Sequence, residues 1–284
     1  MDSKDYENMT FGVEIETLAP RELTRNNELT VGRYHCGRQV PFLPRGWKAM
    51  SDGSVSGNGI SCEIVSPVLK GKKGIERVFE VVEKLRERGF TVNETCGVHV
   101  HVGAEGIAET ALKTLTKIVS YLETAIFSTT GSARRDRSRW CKGVRRYMDA
   151  DYAFNTIRRD RYHILNLTNV GNPTKNTVEF RAFNGSLSPL EVASWCQLAL
   201  GVVARAKNAK RPPKWIPDRC KGSRAKSGVG QEDVERLIQY LGWSDSLAKL
   251  HGGVHYGWLS SSEIEKQARK SFRQKAKEFD ATEN

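Results

Sequence analysis

Alternating polar and apolar residues predict the strands of a sheet. A period of two sends successive side chains to opposite faces of a strand. It recurs in residues 9–18 (MTFGVEIETL), 60–66 (ISCEIVS), 97–103 (GVHVHVG), 162–168 (YHILNLT) and 177–183 (TVEFRAF). Gly171, Asn172 and Pro173 form a turn signal between the last two segments, and a short connection of this kind predicts antiparallel neighbours.

Apolar residues spaced three and four positions apart predict the helices. The segments with this spacing are residues 74–88, 107–128, 188–206, 231–241 and 262–279. Gly89 suits the position after a helix, and Ser188 with Glu191 has the spacing of a capping box. Helices mixed with strand–turn–strand connections predict an α+β fold, in which a mainly antiparallel sheet is flanked by helices.

A change in composition predicts the domain organisation. Residues 207–230 are basic and contain three prolines, which is typical of a linker or a wrapping arm. We therefore predict one domain at residues 9–205, followed by a basic linker and a C-terminal helical extension at residues 206–284.

The net charge of +12 predicts an anionic partner, such as a nucleotide, an acidic peptide, nucleic acid or an anionic surface. The basic excess falls in two arms, residues 134–161 and 205–226. Two interpretations of these arms stay open. They are solvated surfaces, or they bind nucleic acid, which nearby aromatic residues such as Trp140 and Trp215 would suit.

Apolar runs and cysteines bear on the compartment. Among the 284 residues, no apolar run approaches the roughly 18–20 residues that a membrane span needs. The polar first residues lack the pattern of a signal peptide, and the six cysteines form no CxxC pair. We expect a cytoplasmic protein without membrane association, disulfide framework or cysteine-only zinc site.

Two carboxylates on the first strand are the first candidate for chemistry. Glu14 and Glu16 are two residues apart, so they share a face and lie roughly 6.5–7 Å apart along the strand. Buried like charges repel each other, and a divalent cation, which prefers carboxylate oxygens, would remove that cost. The alternative is a solvent-facing edge strand.

The third and fifth strands repeat this spacing. His99 and His101 share one face, as metal or phosphate ligands, core histidines or part of a structural zinc site. Glu179 and Arg181 also share a face, where they either pair with each other or bind a metal and a phosphate, respectively. Glu63 adds an acid on the second strand.

The combination of these groups is more informative than each motif. At least four acids, two histidines and an arginine on one face exceed what a structural core accommodates, because buried charges are costly. A water-filled funnel that holds Mg²⁺ and nucleotide phosphates would account for them.

The order of these motifs resembles the amidoligase family, which is related to glutamine synthetase and glutamate–cysteine ligase. The similarity covers about residues 9–205. The similarity depends on residues 11–16 (FGVEIE), 52–54 (DGS), 63–67 (EIVSP), 96–102 (CGVHVHV), Asn166 and residues 178–187 (VEFRAFNGSL). It implies a glutamine-synthetase-like catalytic sheet and an ATP- and Mg²⁺-dependent ligase that joins a carboxylate to an amine through an acyl phosphate.

The resemblance also implies two metal positions. Glu16 and Glu63 would hold the metal nearer the carboxylate substrate. Glu14, His99 and Glu179 would hold a metal that bridges the phosphates of ATP. The sequence shows one clear acid, Glu63, where glutamine synthetase uses two.

Four further residues receive roles on the same basis. Arg181 would stabilise the phosphoryl group during transfer, and His101 would lie near the nucleotide phosphates. Arg161, in the arginine-rich segment, is a further candidate for binding the nucleotide. Asp52 is a candidate for binding or deprotonating the amine.

Two other functions compete with the ligase. A metal-dependent hydrolase would use the same acids and histidines to activate water, without ATP. A nucleic-acid-binding protein would use the sheet as a scaffold for its basic arms. The carboxylate and amine substrates are not specified by the sequence, although the basic arms favour an acidic peptide, and the oligomeric state stays open.

Overall fold

An antiparallel sheet of eight strands is the centre of the computed structural model, which describes residues 8–132, 138–215, 229–241 and 263–282. The spatial order is β2-β3-β4-β1-β6-β8-β7, and β5 pairs with the start of β1. The strands are β1 (Thr10–Ala19), β2 (Arg38–Gln39), β3 (Lys48–Met50), β4 (Ile60–Val65), β5 (Leu69–Lys70), β6 (Gly97–Gly103), β7 (Leu165–Asn166) and β8 (Thr177–Asn184).

Seven helices lie within the described ranges. They are α1 (Arg21–Arg25), α2 (Gly71–Glu87), α3 (Glu109–Ser128), α4 (Ala150–Ile157), α5 (Pro189–Asn208), α6 (Val229–Tyr240) and α7 (Glu263–Thr282). Helix α2 contacts β1, α3 contacts β8, and α5 contacts β1 and β6, so these helices cover one face of the sheet. Helices α6 and α7 pack on α3 and α5 from outside.

Strand alternation assigns the two faces of the sheet. The apolar series of β1, which is Phe11, Val13 and Ile15, is almost completely buried in the core. The alternate residues Glu14 and Glu16 lie on the opposite face, where no helix of the sheet-covering layer packs. The predicted α+β class and the mainly antiparallel sheet are therefore confirmed.

Most of the predicted elements occur with small shifts of their ends. The predicted strand at residues 162–168 is the exception, because only Leu165–Asn166 forms a strand. The residues before it make isolated contacts instead, such as the hydrogen bond from the Arg181 amide to the Ile164 carbonyl. Residues 21–25, which lie outside the predicted helices, form the short helix α1.

Local signals explain two helix ends. Gly89 follows Arg88, the residue that caps α2, and has φ +77°, a conformation that glycine adopts without steric cost. At α5, Ser188 accepts a hydrogen bond from the amide of Glu191, as expected for a helix cap. The second hydrogen bond expected of a capping box, from the Ser188 amide to the Glu191 carboxylate, does not form. The Glu191 carboxylate accepts a hydrogen bond from the Ser186 hydroxyl instead.

The C-terminal helices share the core of the sheet domain. Val234 and Leu237 of α6 and Phe272 of α7 are buried in the same hydrophobic cluster as the strands. The domain boundary near residue 205 stays a prediction, and much of the second basic arm, residues 216–226, lies outside the described residues. None of the described helices combines the length and the hydropathy that crossing a membrane requires.

Candidate active site

Three acids converge at one end of the charged face. Glu16 on β1 stands directly opposite Glu63 on β4, and the Glu16 carboxylate accepts a 2.6 Å hydrogen bond from the Gly97 amide. Asp52 follows β3 and is held in a turn, where its Oδ1 accepts from the Ser54 amide at 2.6 Å. One oxygen from each of the three carboxylates lies within 4.8 Å of the others, so the three can share one cation.

A second group lies farther along the same face. Glu14, His101 and Glu179 each have a ligand atom within 4.8 Å of the others. The His101 Nε2 lies 3.1 Å from Glu14 Oε1 and 4.0 Å from Glu179 Oε1. The side chains of Asn166 and Arg181 fix the Glu179 carboxylate by donating hydrogen bonds of 2.6 Å and 2.5 Å to its two oxygens.

His99 lies between the two groups. Its Nδ1 is 3.6 Å from Glu14 Oε2 and 3.8 Å from Glu179 Oε1, and its Nε2 is 3.8 Å from Glu16 Oε1. The imidazole therefore faces three carboxylates at once. One ring nitrogen thus faces each group.

An irregularity in β8 places the last residues of this face. Val98 on β6 pairs with Phe183, whereas Val100 pairs with Phe180, so two residues of β8, Arg181 and Ala182, stand opposite His99. Such a bulge reverses the alternation of the strand beyond it. As a result Phe183 stacks on Trp195 in the core, while Asn184 lines the cleft.

Lys175 approaches the charged face from the turn before β8. Its Nζ lies 2.9 Å from Glu14 Oε1, although 161 residues separate the two in the chain. Burial disfavours the charged amine, but Glu14, Glu179 and Glu63 outweigh it and raise the Lys175 pKa. The ammonium group therefore remains charged and offsets part of the negative charge of the site.

Glu63 in the first group and Glu14 in the second have opposite charge preferences. Burial, together with the charges of Glu14, Asp52 and Glu16, raises the pKa of Glu63 to about 9. Burial also opposes ionisation of Glu14, but the charge of His101, hydrogen bonds with His101 and His99, and the charge of Lys175 outweigh it and hold the Glu14 pKa well below its usual value. The group around Glu63 therefore has less compensating positive charge than the group around Glu14.

His101 and Glu179 stabilise each other's charged forms. Burial lowers the His101 pKa, but the charges of Glu14 and Glu179 outweigh it, so the net direction is upward. Burial raises the Glu179 pKa, but His101 and Arg181 outweigh it and lower the pKa. An imidazole proton and a metal ion would compete for the same position between these carboxylates.

The donor set fits divalent metal ions. Five carboxylates and two imidazoles converge, and hard cations such as Mg²⁺ prefer carboxylate oxygens. Among the described residues, the buried His101 Nε2 has no aligned hydrogen-bond acceptor, although Glu14 Oε1 is only 3.1 Å away. A neutral imidazole nitrogen in this position could coordinate a metal ion.

A cleft of about 1370 Å³ extends over the charged face. The structure brings most of the residues expected from the sequence to it. His101 lies in the second acidic group beside this cleft. The predicted residues that line the cleft itself are Glu14, Glu16, Asp52, Glu63, His99, Arg161, Glu179 and Arg181.

Sequence reasoning missed several residues of the cleft, among them Lys175 and Asn184. Lys175 lies in a turn without periodicity, and Asn184 reaches the cleft only because of the bulge. Asp52, expected near the amine, supplies the third carboxylate beside Glu16 and Glu63. The DGS turn was a signal for that position, because an aspartate in such a turn is held by its own loop.

Comparisons with known proteins identify the family of the chain. The chain matches the family described as "Putative amidoligase enzyme" over residues 7–153 and 147–203, so it belongs to the amidoligase family. This membership supports a ligase-type function. No curated protein matches the chain.

Among solved structures, the chain is similar to one titled "Crystal structure of novel glutamine synthase homolog". The sequence identity is 14%, and the TM-score is 0.48. The alignment covers 95% of this chain and 72% of that one.

Proposed function

We propose that this amidoligase joins a carboxylate to an amine with consumption of ATP, in an Mg²⁺-dependent reaction that passes through an acyl phosphate. The observation behind the proposal is the pair of acidic groups, Glu16–Asp52–Glu63 and Glu14–His101–Glu179, on one face of an open cleft. Two adjacent cation positions suit phosphoryl transfer, since most of that catalysis is positioning and neutralisation of charge.

The two groups would divide the reactants between them. Glu14, His101 and Glu179, with His99 beside them, would hold Mg²⁺ at the phosphates of ATP. Glu16, Glu63 and Asp52 would hold the ion next to the carboxylate substrate. When bound, these ions would neutralise phosphate charge and polarise the carboxylate that accepts the phosphoryl group.

Arg181 would stabilise the group being transferred. Its guanidinium is anchored by a hydrogen bond to Glu179, and it lies at the bulge of β8 beside His99. A guanidinium held by a carboxylate is oriented before the substrate binds, so little freedom is lost when it contacts a phosphate oxygen.

The amine must attack as the free base. Asp52 is a surface-accessible carboxylate at the edge of the group that would hold the carboxylate substrate. It would orient the ammonium form of the amine and accept its proton within hydrogen-bond distance. The acyl phosphate must be kept from water, and residues of the segments 20–47 and 138–164 line the cleft.

Release of ADP tests the proposal directly. Purified protein with ATP and Mg²⁺ is supplied with amino acids, polyamines and acidic peptides in pairs, and ADP and the new amide are measured. We expect at least one pair to release both in equal amounts. The Glu16→Gln variant should lower the rate by about 100-fold or more, because it removes a metal-facing charge. The exposed Glu87→Gln variant on α2 should not change it.

The outcomes separate the competing functions. Hydrolysis of an amide substrate at the same rate with and without ATP would favour the metal-dependent hydrolase. Salt-sensitive DNA binding that Glu14→Gln and Glu16→Gln leave unchanged, without ADP release from any pair, would favour the nucleic-acid-binding protein.

A further inference from the structure

Four aromatic side chains form a row beside the cleft. Trp140 meets Tyr162 edge to face, with the ring centroids 5.1 Å apart. His163, the next residue in the chain, connects Tyr162 to Tyr147, whose ring centroid lies 5.7 Å from that of the imidazole. The Tyr147 ring in turn lies 5.4 Å from the ring of Tyr152. We call Trp140, Tyr162, Tyr147 and Tyr152 the aromatic row.

Both ends of the aromatic row are exposed to solvent. Trp140 is 42% exposed and Tyr152 is 60% exposed, so neither ring is needed to fill the core. Trp140 and Tyr162 line the cleft, whereas Tyr147 and Tyr152 do not, so the row leads from the cleft to the outer surface at α4. Neighbouring exposed rings of this kind mark a surface that binds another molecule.

Four exposed arginines lie close to the aromatic row in the chain. They are Arg139, Arg146, Arg159 and Arg161. The guanidinium groups of Arg139 and Arg161 lie 4.5 Å and 5.2 Å from the ring centres of Trp140 and Tyr162, respectively. Within the ranges that the structure describes, none of the four arginines has a carboxylate within 4.0 Å. Their donors are therefore available to an anion.

The acids of this segment do not offset these charges. Residues 138–164 contain seven lysines and arginines but only three acids, all of them aspartates. Asp160 accepts a 2.6 Å hydrogen bond from Lys142, Asp149 caps α4, and Asp151 lies 3.8 Å from Lys113. The surface around the aromatic row therefore has an excess of positive charge.

The second basic arm meets the first at the middle of the aromatic row. The Trp215 Nε1 donates a 3.2 Å hydrogen bond to the carbonyl of Tyr147, across 68 residues of chain. Lys210, Arg211 and Lys214 precede this contact and are exposed. The two arms that are separate in the sequence thus contribute to one basic surface.

We infer that the aromatic row binds single-stranded nucleic acid. Its bases stack on the exposed rings, and its phosphates contact the arginines that have no carboxylate partner. Rings interleaved with cations match the bases and phosphates of a single strand. An acidic peptide requires the cations alone, and a duplex keeps its bases stacked inside. This binding goes beyond the proposed ligase reaction and requires neither acidic group of the cleft.

Loss of one ring tests the stacking. Labelled oligothymidylate and oligouridylate of about 20 nucleotides are titrated with the full chain by fluorescence anisotropy. We expect Tyr152→Ala to weaken the binding of at least one strand about fivefold or more, because one stacked base is lost. Tyr152→Phe keeps the ring and should retain the wild-type affinity. Since Tyr152 is exposed on α4, both variants should remain folded, which circular dichroism checks.

Loss of two charges tests the phosphate contacts. The double variant Arg146→Gln/Arg159→Gln should weaken binding of the same strand. It should also reduce the slope of log affinity against log salt by about 1.4, which is about 0.7 for each lost contact. The matched control is Arg77→Gln/Arg86→Gln, two exposed arginines of α2. Helix α2 packs on α5, and α5 and α4 both pack on α3, so the control removes equal charge at the other end of the helical layer.

Three results would overturn the inference. The wild-type protein binds neither strand, Tyr152→Ala binds the strand as tightly as the wild type, or polyglutamate of the same length displaces the strand as effectively as unlabelled oligonucleotide does. The last result would identify the surface as a site for acidic peptides. Glu14→Gln should bind the strand as the wild type does, so failure of the ligase reaction leaves this test unaffected.

Discussion

The carboxylate of Glu14 lies 3.1 Å from the His101 imidazole, although strand pairing sets it opposite His99. The side chain therefore leans along β1, and its other oxygen remains 3.6 Å from His99. One carboxylate thus contacts both histidines of β6. This position makes Glu14 the residue on which the second acidic group depends most.

Replacement of Glu14 by Gln should impair metal binding without unfolding the protein. The amide has the same shape but no charge, so we expect the affinity for Mn²⁺, measured by calorimetry without nucleotide, to fall by at least about tenfold. The thermal unfolding midpoint should fall, because His101 and Lys175 favour the charged form of Glu14 in the folded protein, but the variant should remain folded at the temperature of the titration. The Glu87→Gln variant serves as the control, and equal Mn²⁺ affinities in both variants would contradict a metal role for Glu14.

Replacement of Lys175 by Met should strengthen the binding of a metal ion in the absence of nucleotide. A cation that binds Glu14 must displace the Lys175 ammonium, which lies 2.9 Å from the same oxygen. Without that ammonium, Mn²⁺ should bind about threefold more tightly or better, because the competing charge is gone. Lys72→Met, on the exposed surface of α2, is the matched control. Weaker Mn²⁺ binding in Lys175→Met would show that the lysine does not compete with the ion.

Replacement of Glu63 by Gln should stabilise the protein while it impairs metal binding. Burial and three neighbouring acids make the charged form of Glu63 unfavourable in the folded protein. We expect the neutral amide to raise the free energy of unfolding by about 1 kcal/mol in EDTA at neutral pH. Urea unfolding measures this, and calorimetry with Mn²⁺ measures the loss of affinity. A fall in stability would mean that the charged form makes favourable contacts.

His163, which does not line the cleft, should make the stability of the protein depend on pH. The ring is completely buried between the Tyr147 hydroxyl, 2.7 Å from Nε2, and the Asp160 carbonyl, 3.0 Å from Nδ1. Burial lowers the pKa of His163 below the ordinary value of 6.5. Asp160 raises this pKa, whereas the charges of Lys142 and Arg146 lower it further, and the net direction is downward.

Because the pKa is lowered, the unfolded chain binds the proton more readily than the folded one. The stability contributed by neutral His163 is present above pH 6.5 and is lost as the pH falls below that value. Urea unfolding at pH 7.5 and pH 5.5 should show a larger loss in the wild-type protein than in His163→Gln. Equal losses in the two proteins would exclude His163 as the titrating group.

The alternation of residues was sufficient to predict the long strands and most of the charged face. Glu14 and Glu16, like His99 and His101, share a face because a strand repeats every two residues, and that rule is local. The long helices follow from the same kind of local signal. Short strands such as β2 and β7 contain only two residues each, so no period can be read from them.

Long-range contacts explain what the sequence did not predict. The pairing of Lys175 with Glu14 depends on a turn that meets the first strand across the sheet, and nothing near either residue signals it. The assignment of Asp52 to the group of Glu16 and Glu63 depends likewise on how the loop after β3 folds back. Residue types predicted the chemistry, but only the sheet order specified the partners.

The extra residue in β8 decides which side chains at the end of this strand face the core. Without the bulge, Ala182 would stand opposite Val98 and β8 would pair with β6 without interruption, which looks like an improvement of the sheet. Phe183 would then move into the cleft and Asn184 toward Trp195, so an aromatic ring would leave the interior and an amide would enter it. The strand keeps its interrupted pairing because uninterrupted pairing would move a core side chain to the cleft face and a cleft side chain into the core.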